Sequence, residues 1–295
     1  MGFSVLIIGC GDIGTALGRE LIDEGHSVIG VRRNVKALEG SGIQPMALDL
    51  DHLDDSDAQA LPQADYVIYT VSADHFEESA YQSAYPQGLK RVLGVLERQE
   101  TPPRRVFFVS STSVYGQQEG ETINEQSPAD ASSFSGILMR QAEQALINHP
   151  LVGSVVRFSG IYGPGRDRLI RQVAEGRVAA VTPVMYSNRI HRDDCAGILK
   201  HLMYLDQQGQ ALENIYLGSD CEPAALHDVM TWLAKQLKVD ATETMQSPLR
   251  RRASKRCDNS RLISSGYAFR YPSFREGYQQ VLKKCGFLDD SPSTS

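Results

Sequence analysis

Short apolar runs and amphipathic stretches alternate along the first half of the chain. Ser4–Ile8, Ser27–Val31, Tyr66–Val71, Val106–Ser110 and Ser154–Phe158 are rich in Val, Ile, Phe and Tyr and predict buried strands, with Gly42–Leu48 a weaker addition. Between them, Ile13–Glu24, Tyr81–Gln99 and Leu138–Asn148 carry apolar residues at helical spacing. Strand–helix alternation of this kind builds a parallel sheet with helices on both faces. After Gly160 the loops lengthen and prolines mark turns at Pro164, Pro183, Pro223, Pro248 and Pro272. His191–Asp206 and Ala224–Leu237 still predict helices, and Asn214–Leu217 a strand. The expected organisation is a doubly wound α/β domain over residues 1–160 with later strands from about 180–220. A smaller, interleaved C-terminal lobe covers 161–288, and 289–295 is a polar, disordered tail.

Composition narrows the classes of function. The net charge of −6, with no long basic block, argues against nucleic acid or an anionic membrane as a partner. The five cysteines (Cys10, Cys195, Cys221, Cys257, Cys285) are scattered and form no C-x-x-C pair. Reduced thiols in a cytoplasmic protein, without a metal site, are expected. The apolar run Val5–Ile8 is too short for a signal peptide, and no stretch approaches the length of a membrane helix.

Gly9-Cys10-Gly11-Asp12-Ile13-Gly14 follows the first strand and opens the first helix, the context in which G-x-G-x-x-G binds a dinucleotide. Gly9 permits the tight turn, Gly11 lets a pyrophosphate reach the backbone, and Gly14 lets helix and strand pack closely. The phosphate then meets unpaired N–H groups where the helix dipole favours negative charge. The domain is thus expected to be Rossmann-type. At the end of the second strand, where an acidic residue would select NAD, the chain has Arg32 and Arg33. Two guanidiniums suit a 2′-phosphate, so NADP is expected ahead of NAD. Asp49 and Leu50, after the next strand, are placed to touch the adenine.

Three further segments carry a family likeness. Val106–Gly116 ends in Ser110-Ser111-Thr112-Ser113-Val114-Tyr115-Gly116, Arg157–Gly165 reads R-F-S-G-I-Y-G-P-G, and Asn188–Asp194 contains I-H-R-D-D. In these motifs the chain resembles the short-chain dehydrogenase/reductase superfamily, in its extended NAD-dependent epimerase/dehydratase branch. The resemblance implies cofactor contacts at Val71, Ser72, Ser110, Ser159 and Ile161 as well as at Gly9, Gly11, Asp12, Ile13 and Gly14. It implies that Ser111 hydrogen-bonds a substrate oxygen, although a serine at a strand end also bonds local backbone. It further implies a homodimer through the 78–96 helix.

One departure from the family is pronounced. Its Tyr-x-x-x-Lys pair has Ser135 and Met139 in the corresponding places, and no tyrosine of the chain is followed four residues later by lysine. Losing a positioned acid–base group typically forfeits about 10²–10⁴ in rate. Tyr162 is the first candidate for a substitute acid, ahead of Tyr115, Arg140 or a bound water. His191 reads as a packing residue beside Asp193 and Asp194. Arg189, and the cluster Arg250–Arg252, Lys255, Arg256 and Arg261, could meet an anionic substrate. The expected function is an NADP-dependent oxidoreductase or epimerase-like enzyme acting on a small carbonyl or sugar-derived substrate. The rival is a non-catalytic NADP-binding redox sensor.

Overall fold

Ser4–Ile8 forms strand β1, whose Val5, Leu6, Ile7 and Ile8 are buried almost completely. A strand with no polar face belongs inside a parallel sheet covered on both sides. The computed structural model describes residues 2–245 and 254–287. In it, β1 lies in a seven-stranded sheet with β2 (Ser27–Arg32), β3 (Gln44–Ala47), β4 (Tyr66–Tyr69), β5 (Arg105–Ser111) and the strands Gly153–Phe158 and Ile215–Gly218. From one edge the order is Ile215–Gly218, Gly153–Phe158, β5, β4, β1, β2, β3. β1 pairs in parallel with β2 (Ser4↔Ser27) and with β4 (Val5↔Tyr66). The chain therefore reverses direction across the sheet at β1 and β4, which opens a crevice beyond the carboxyl ends of these strands.

Helices α1 (Asp12–Asp23), α2 (Glu78–Gln82), α3 (Gly88–Arg98) and α4 (Phe134–Ile147) join these strands, with Arg192–Gln207 following later. Lys200 of that last helix pairs with Glu20 at 2.9 Å and Glu24 at 2.6 Å, tying it to the α1 region. The continuous helix predicted over Tyr81–Gln99 is interrupted. Ser83–Gln87 is a wider π-helical turn that contains Pro86. Proline has no N–H to give the turn before it; within the same turn the Ala84 carbonyl accepts the Tyr69 hydroxyl at 2.6 Å.

The chain divides into two compact units. The first comprises the described residues of Met1–Tyr115, Pro128–Phe158 and Cys195–Leu217, and contains the sheet. The second comprises those of Gly116–Ser127, Ser159–Asp194 and Gly218–Ser295. Its core gathers Ile170, Val173, Val229, Leu233, Phe274, Tyr278, Val281 and Leu282. Helix Phe274–Lys284 of this unit was not predicted, although Ser273 and Glu276 form a complete capping box at its start. The expected disordered tail and Arg250–Arg252 lie outside the described residues. Among the described residues, no helix is long and apolar enough to cross a membrane, and no cluster of His, Cys, Asp and Glu is arranged to hold a metal.

Candidate functional site: a dinucleotide cleft in the first unit

At the carboxyl end of β1 the chain turns sharply into α1. Gly9 has φ +80°, and a Cβ there would lie 2.6 Å from the Val71 backbone. Both constraints exclude a side chain. A Cβ at Gly14 would lie 2.8 Å from Ile7 Cγ2, so this glycine lets α1 pack closely on β1. Gly11 differs from both. A Cβ there would meet nothing nearer than the Gly9 carbonyl at 3.7 Å, leaving open space over its backbone. Gly11 also caps α1 without a side-chain hydrogen bond, so no N-cap side chain covers the first turn of the helix. Open space above uncapped amides at a helix N-terminus fits a pyrophosphate.

These features border a cleft of about 410 Å³. Of the residues singled out in the sequence, Gly9, Gly11, Arg32, Arg33, Asp49, Leu50, Val71 and Ser72 line it. The structure adds Asn34, Leu48, Asp51, Ala73, Asp74, Ala80, Ser83 and Ala84. Asp12, Ile13 and Gly14 sit behind the lining, in the first turn of α1. Asp49 accepts the Asp51 N–H at 3.1 Å and starts a short turn of helix, which supports the Leu50 wall.

The two arginines are engaged. Arg32 Nη1 donates to the Cys10 carbonyl at 3.1 Å, and Arg33 Nη2 donates to Asp74 Oδ1 at 2.6 Å. That hydrogen bond holds the Asp74 carboxyl below its ordinary range. Asp51 is held low as well, first by the Ser83 hydroxyl at 2.5 Å and then by Arg91 at 3.1 Å. Carboxylates thus face the arginine pair across the cleft. No sequence motif announced Asp74, because the sheet order brings it to Arg33 from a distant part of the chain.

Ser111 ends β5, and its hydroxyl oxygen accepts the Ser113 N–H at 3.1 Å. That oxygen still carries a proton for a substrate oxygen. Ser110 points the other way. Its hydroxyl is buried and donates to Glu143 Oε1 at 2.7 Å, so its side chain braces α4; neither it nor Ser111 is among the residues that line the cleft. Ser135 and Met139 are both buried on α4. Arg140 reaches Glu143 at 3.3 Å, and the buried Tyr115 hydroxyl accepts a hydrogen bond from Arg157 at 2.8 Å.

Tyr162, Ser159, Ile161, His191 and Arg189 belong to the second unit. Tyr162 is 4% exposed, in contact with the rings of Tyr278 and His191 at 4.5 and 5.3 Å. A Cβ at Gly277 would collide with its hydroxyl. Burial pushes that hydroxyl far above its ordinary pKa, the reverse of what acid–base work near neutral pH needs. Tyr162 packs in the core of the second unit, and this buried setting does not suit the acid role expected for it. His191 is fully buried, and its Nδ1 accepts the Asp193 N–H at 3.1 Å at the start of Arg192–Gln207. Burial lowers its pKa and keeps it neutral. Ser159 shares a hydrogen bond with Ser219 at 3.1 Å, and Ile161 pairs with Ile190 in a two-stranded ribbon. Arg189 is buried and donates to the Ser187 carbonyl at 3.1 Å. Arg256 donates to the Gly120 carbonyl at 2.9 Å, and Arg261 pairs with Glu125 at 3.7 Å. These cations serve the fold of their own unit.

A parallel sheet that reverses at β1 and β4, with a glycine turn and an uncapped helix at the reversal, defines a dinucleotide-binding domain of the Rossmann type. The chain belongs to the NAD dependent epimerase/dehydratase family, whose model matches residues 5–227. It is 27% identical to Protein YeeZ of Escherichia coli strain K12, over 91% of this chain and 96% of that protein. A Methylobacillus flagellatus structure assigned by name to the NAD-dependent epimerases/dehydratases is 35% identical, with a TM-score of 0.77 over 96% of this chain and 98% of its own. Human epimerase family protein SDR39U1 (isoform 2), solved with NADPH, is 19% identical, with a TM-score of 0.77 over 94% of this chain and 98% of its own. UDP-glucuronic acid 4-epimerase from Bacillus cereus, solved with UDP-glucuronic acid and NAD, is 18% identical, with a TM-score of 0.77 over the same shares. These last two likenesses show the fold alone.

Proposed function

We propose that the chain is an NADP-dependent oxidoreductase or epimerase-like enzyme acting on a small carbonyl or sugar-derived substrate. One observation carries this reading: the uncapped start of α1 beneath Gly11 opens into the same cleft as Arg32 and Arg33. The α1 amides would hold the pyrophosphate, and the arginines the 2′-phosphate. The human neighbour solved with NADPH and the Bacillus neighbour solved with NAD support a pyridine dinucleotide in general.

When bound, the cofactor supplies or accepts hydride at its nicotinamide. The protein's part is to orient the substrate and move a proton. Ser111, at the carboxyl end of β5, donates its hydroxyl proton in a hydrogen bond to the substrate oxygen while the Ser113 N–H fixes the serine oxygen. Neither Ser135 nor Met139 replaces the family's acid, because a buried serine hydroxyl is only weakly acidic and a thioether carries no proton. Proton delivery from solvent water along the open side of the cleft is part of the proposal, and turnover slower than that of a tyrosine-bearing relative is expected.

A second reading, a non-catalytic NADP-binding redox sensor, is favoured by the same burial of Ser135 and Met139. One experiment separates the two. NADPH oxidation is followed by absorbance with a panel of aldehydes, ketones and sugar nucleotides, for the wild type and for Ser111→Ala. Turnover that Ser111→Ala lowers by about 10²-fold or more supports the enzyme. Saturable NADPH binding without turnover across the panel supports the sensor.

A further inference from the structure

Arg33 and Asp74 both line the dinucleotide cleft, yet they arrive from different strands: Arg33 directly after β2, Asp74 in the loop after β4. Their 2.6 Å contact spans the two walls. The loop that carries Asp74 is held on both sides of it. On one side, the Ala73 N–H reaches the Tyr85 hydroxyl at 3.5 Å. On the other, the Phe76 ring packs on Phe134 and Tyr81 with centroids at 5.0 and 5.6 Å. Asp74 is thus presented to Arg33 by an anchored loop.

We infer that Asp74 is a specificity-determining residue of the cleft, a built-in carboxylate that competes with the 2′-phosphate of NADP for Arg33. The inference rests on the cofactor reading above and deepens it. The chemistry is a ligand exchange with no bond made or broken covalently. Arg33 gives up its hydrogen bond to Asp74 and donates instead to an oxygen of the incoming phosphate. The exchange is affordable because the pair is exposed, at 61% and 52% of the two side chains, and exposed ion pairs hold together only weakly. A phosphate offers more acceptor oxygens and more charge to the planar guanidinium than a carboxylate does.

NAD has no 2′-phosphate and leaves the Arg33–Asp74 pair in place. Asp74 therefore lowers the preference for NADP without touching affinity for NAD. It also adds negative charge near the phosphate, alongside Asp49 and Asp51, which already act on Arg33. The strongly basic pair at the end of β2 is moderated by its surroundings.

The test is a binding titration of the full chain with NADP and with NAD, by calorimetry, for the wild type, Asp74→Asn, Arg33→Ala and the double variant. Thermal unfolding of each confirms that the exposed substitutions leave the fold intact. Asp74→Asn is expected to tighten NADP about three- to fivefold and to change NAD by less than twofold. In the Arg33→Ala background the same substitution is expected to have little effect on NADP. An unchanged or weaker NADP affinity in Asp74→Asn, or an equal gain for both dinucleotides, would overturn the inference alone. Failure of the wild type to bind either dinucleotide would overturn the cofactor reading and the inference together.

Discussion

Glu143 and Arg157 form a bidentate pair in the interior of the first unit, with contacts of 2.8 and 2.6 Å and side chains 0% and 1% exposed. Glu143 lies on α4 and Arg157 on the strand Gly153–Phe158, so the pair fixes the helix to the sheet. Ser110 and Tyr115 complete the network at 2.7 and 2.8 Å. This network locks the carboxyl end of β5, from which Ser111 projects.

Removing one partner of a buried pair leaves the other charged without compensation, at a cost of about 3–5 kcal/mol. Glu143→Ala is predicted to lower unfolding stability in urea by that order, and Glu143→Gln by less. A loss below about 1 kcal/mol for Glu143→Ala would show that Arg157 finds solvent or another partner.

The glycine turn makes opposite predictions for two neighbouring positions. Gly9→Ala places a Cβ against the Val71 backbone at positive φ, so its thermal midpoint is predicted to fall by several degrees, the effect of about 1–3 kcal/mol. Gly11→Ala meets nothing closer than the Gly9 carbonyl, at an ordinary contact distance of 3.7 Å, so its midpoint should hold while dinucleotide affinity falls about tenfold or more. Unfolding curves and titrations on both variants check this. Intact binding by Gly11→Ala would place the pyrophosphate elsewhere.

In the second unit, Asp220 is 1% exposed, and its Oδ2 has no hydrogen-bond partner among the described residues. Burial pushes its pKa from 3.8 up to about 8. The folded chain thus keeps this proton where the unfolded chain has released it. The contribution is present in full below about pH 4 and is lost as pH rises through about 8, by at most ~1.4 kcal/mol per pH unit. Thermal midpoints of the wild type should decline over this window relative to those of Asp220→Asn, which keeps the carboxyl's neutral shape. Parallel pH profiles for the two proteins would contradict the assignment.

The central strands were legible because burial on both faces leaves an uninterrupted apolar run, as in Ser4–Ile8 and Tyr66–Tyr69. Pro86 was visible in the sequence, but helical periodicity continues on both sides of it, so the break became clear only from the wider turn at Ser83–Gln87. The capping box at Ser273 and Glu276 was a readable signal that Pro272, read as a turn just before it, obscured.

The candidate site was legible wherever local sterics decide it. Gly11 faces Gly9 in the β1–α1 turn, Gly14 faces Ile7 on β1, and Gly9 faces Val71 just beyond β4. Asp74 was not legible, since its role depends on β4 lying beside β1 and β1 beside β2. Ser110 and Ser111 show the limit of motif transfer. Adjacent strand residues face opposite sides of the sheet, so one serine braces Glu143 while the other ends the strand. Tyr162 shows the same limit, because its place in a family motif says nothing about a glycine far along the chain that seals it into a core.

A calorimetric titration of the wild-type chain with NADPH, with Gly11→Ala alongside, decides whether a pyridine dinucleotide seats its pyrophosphate on the first amides of α1 at Gly11. Saturable binding at one site per chain, weakened about tenfold or more in Gly11→Ala at an unchanged thermal midpoint, is the predicted result. No saturable heat with NADPH or NADH from the folded wild type would contradict it.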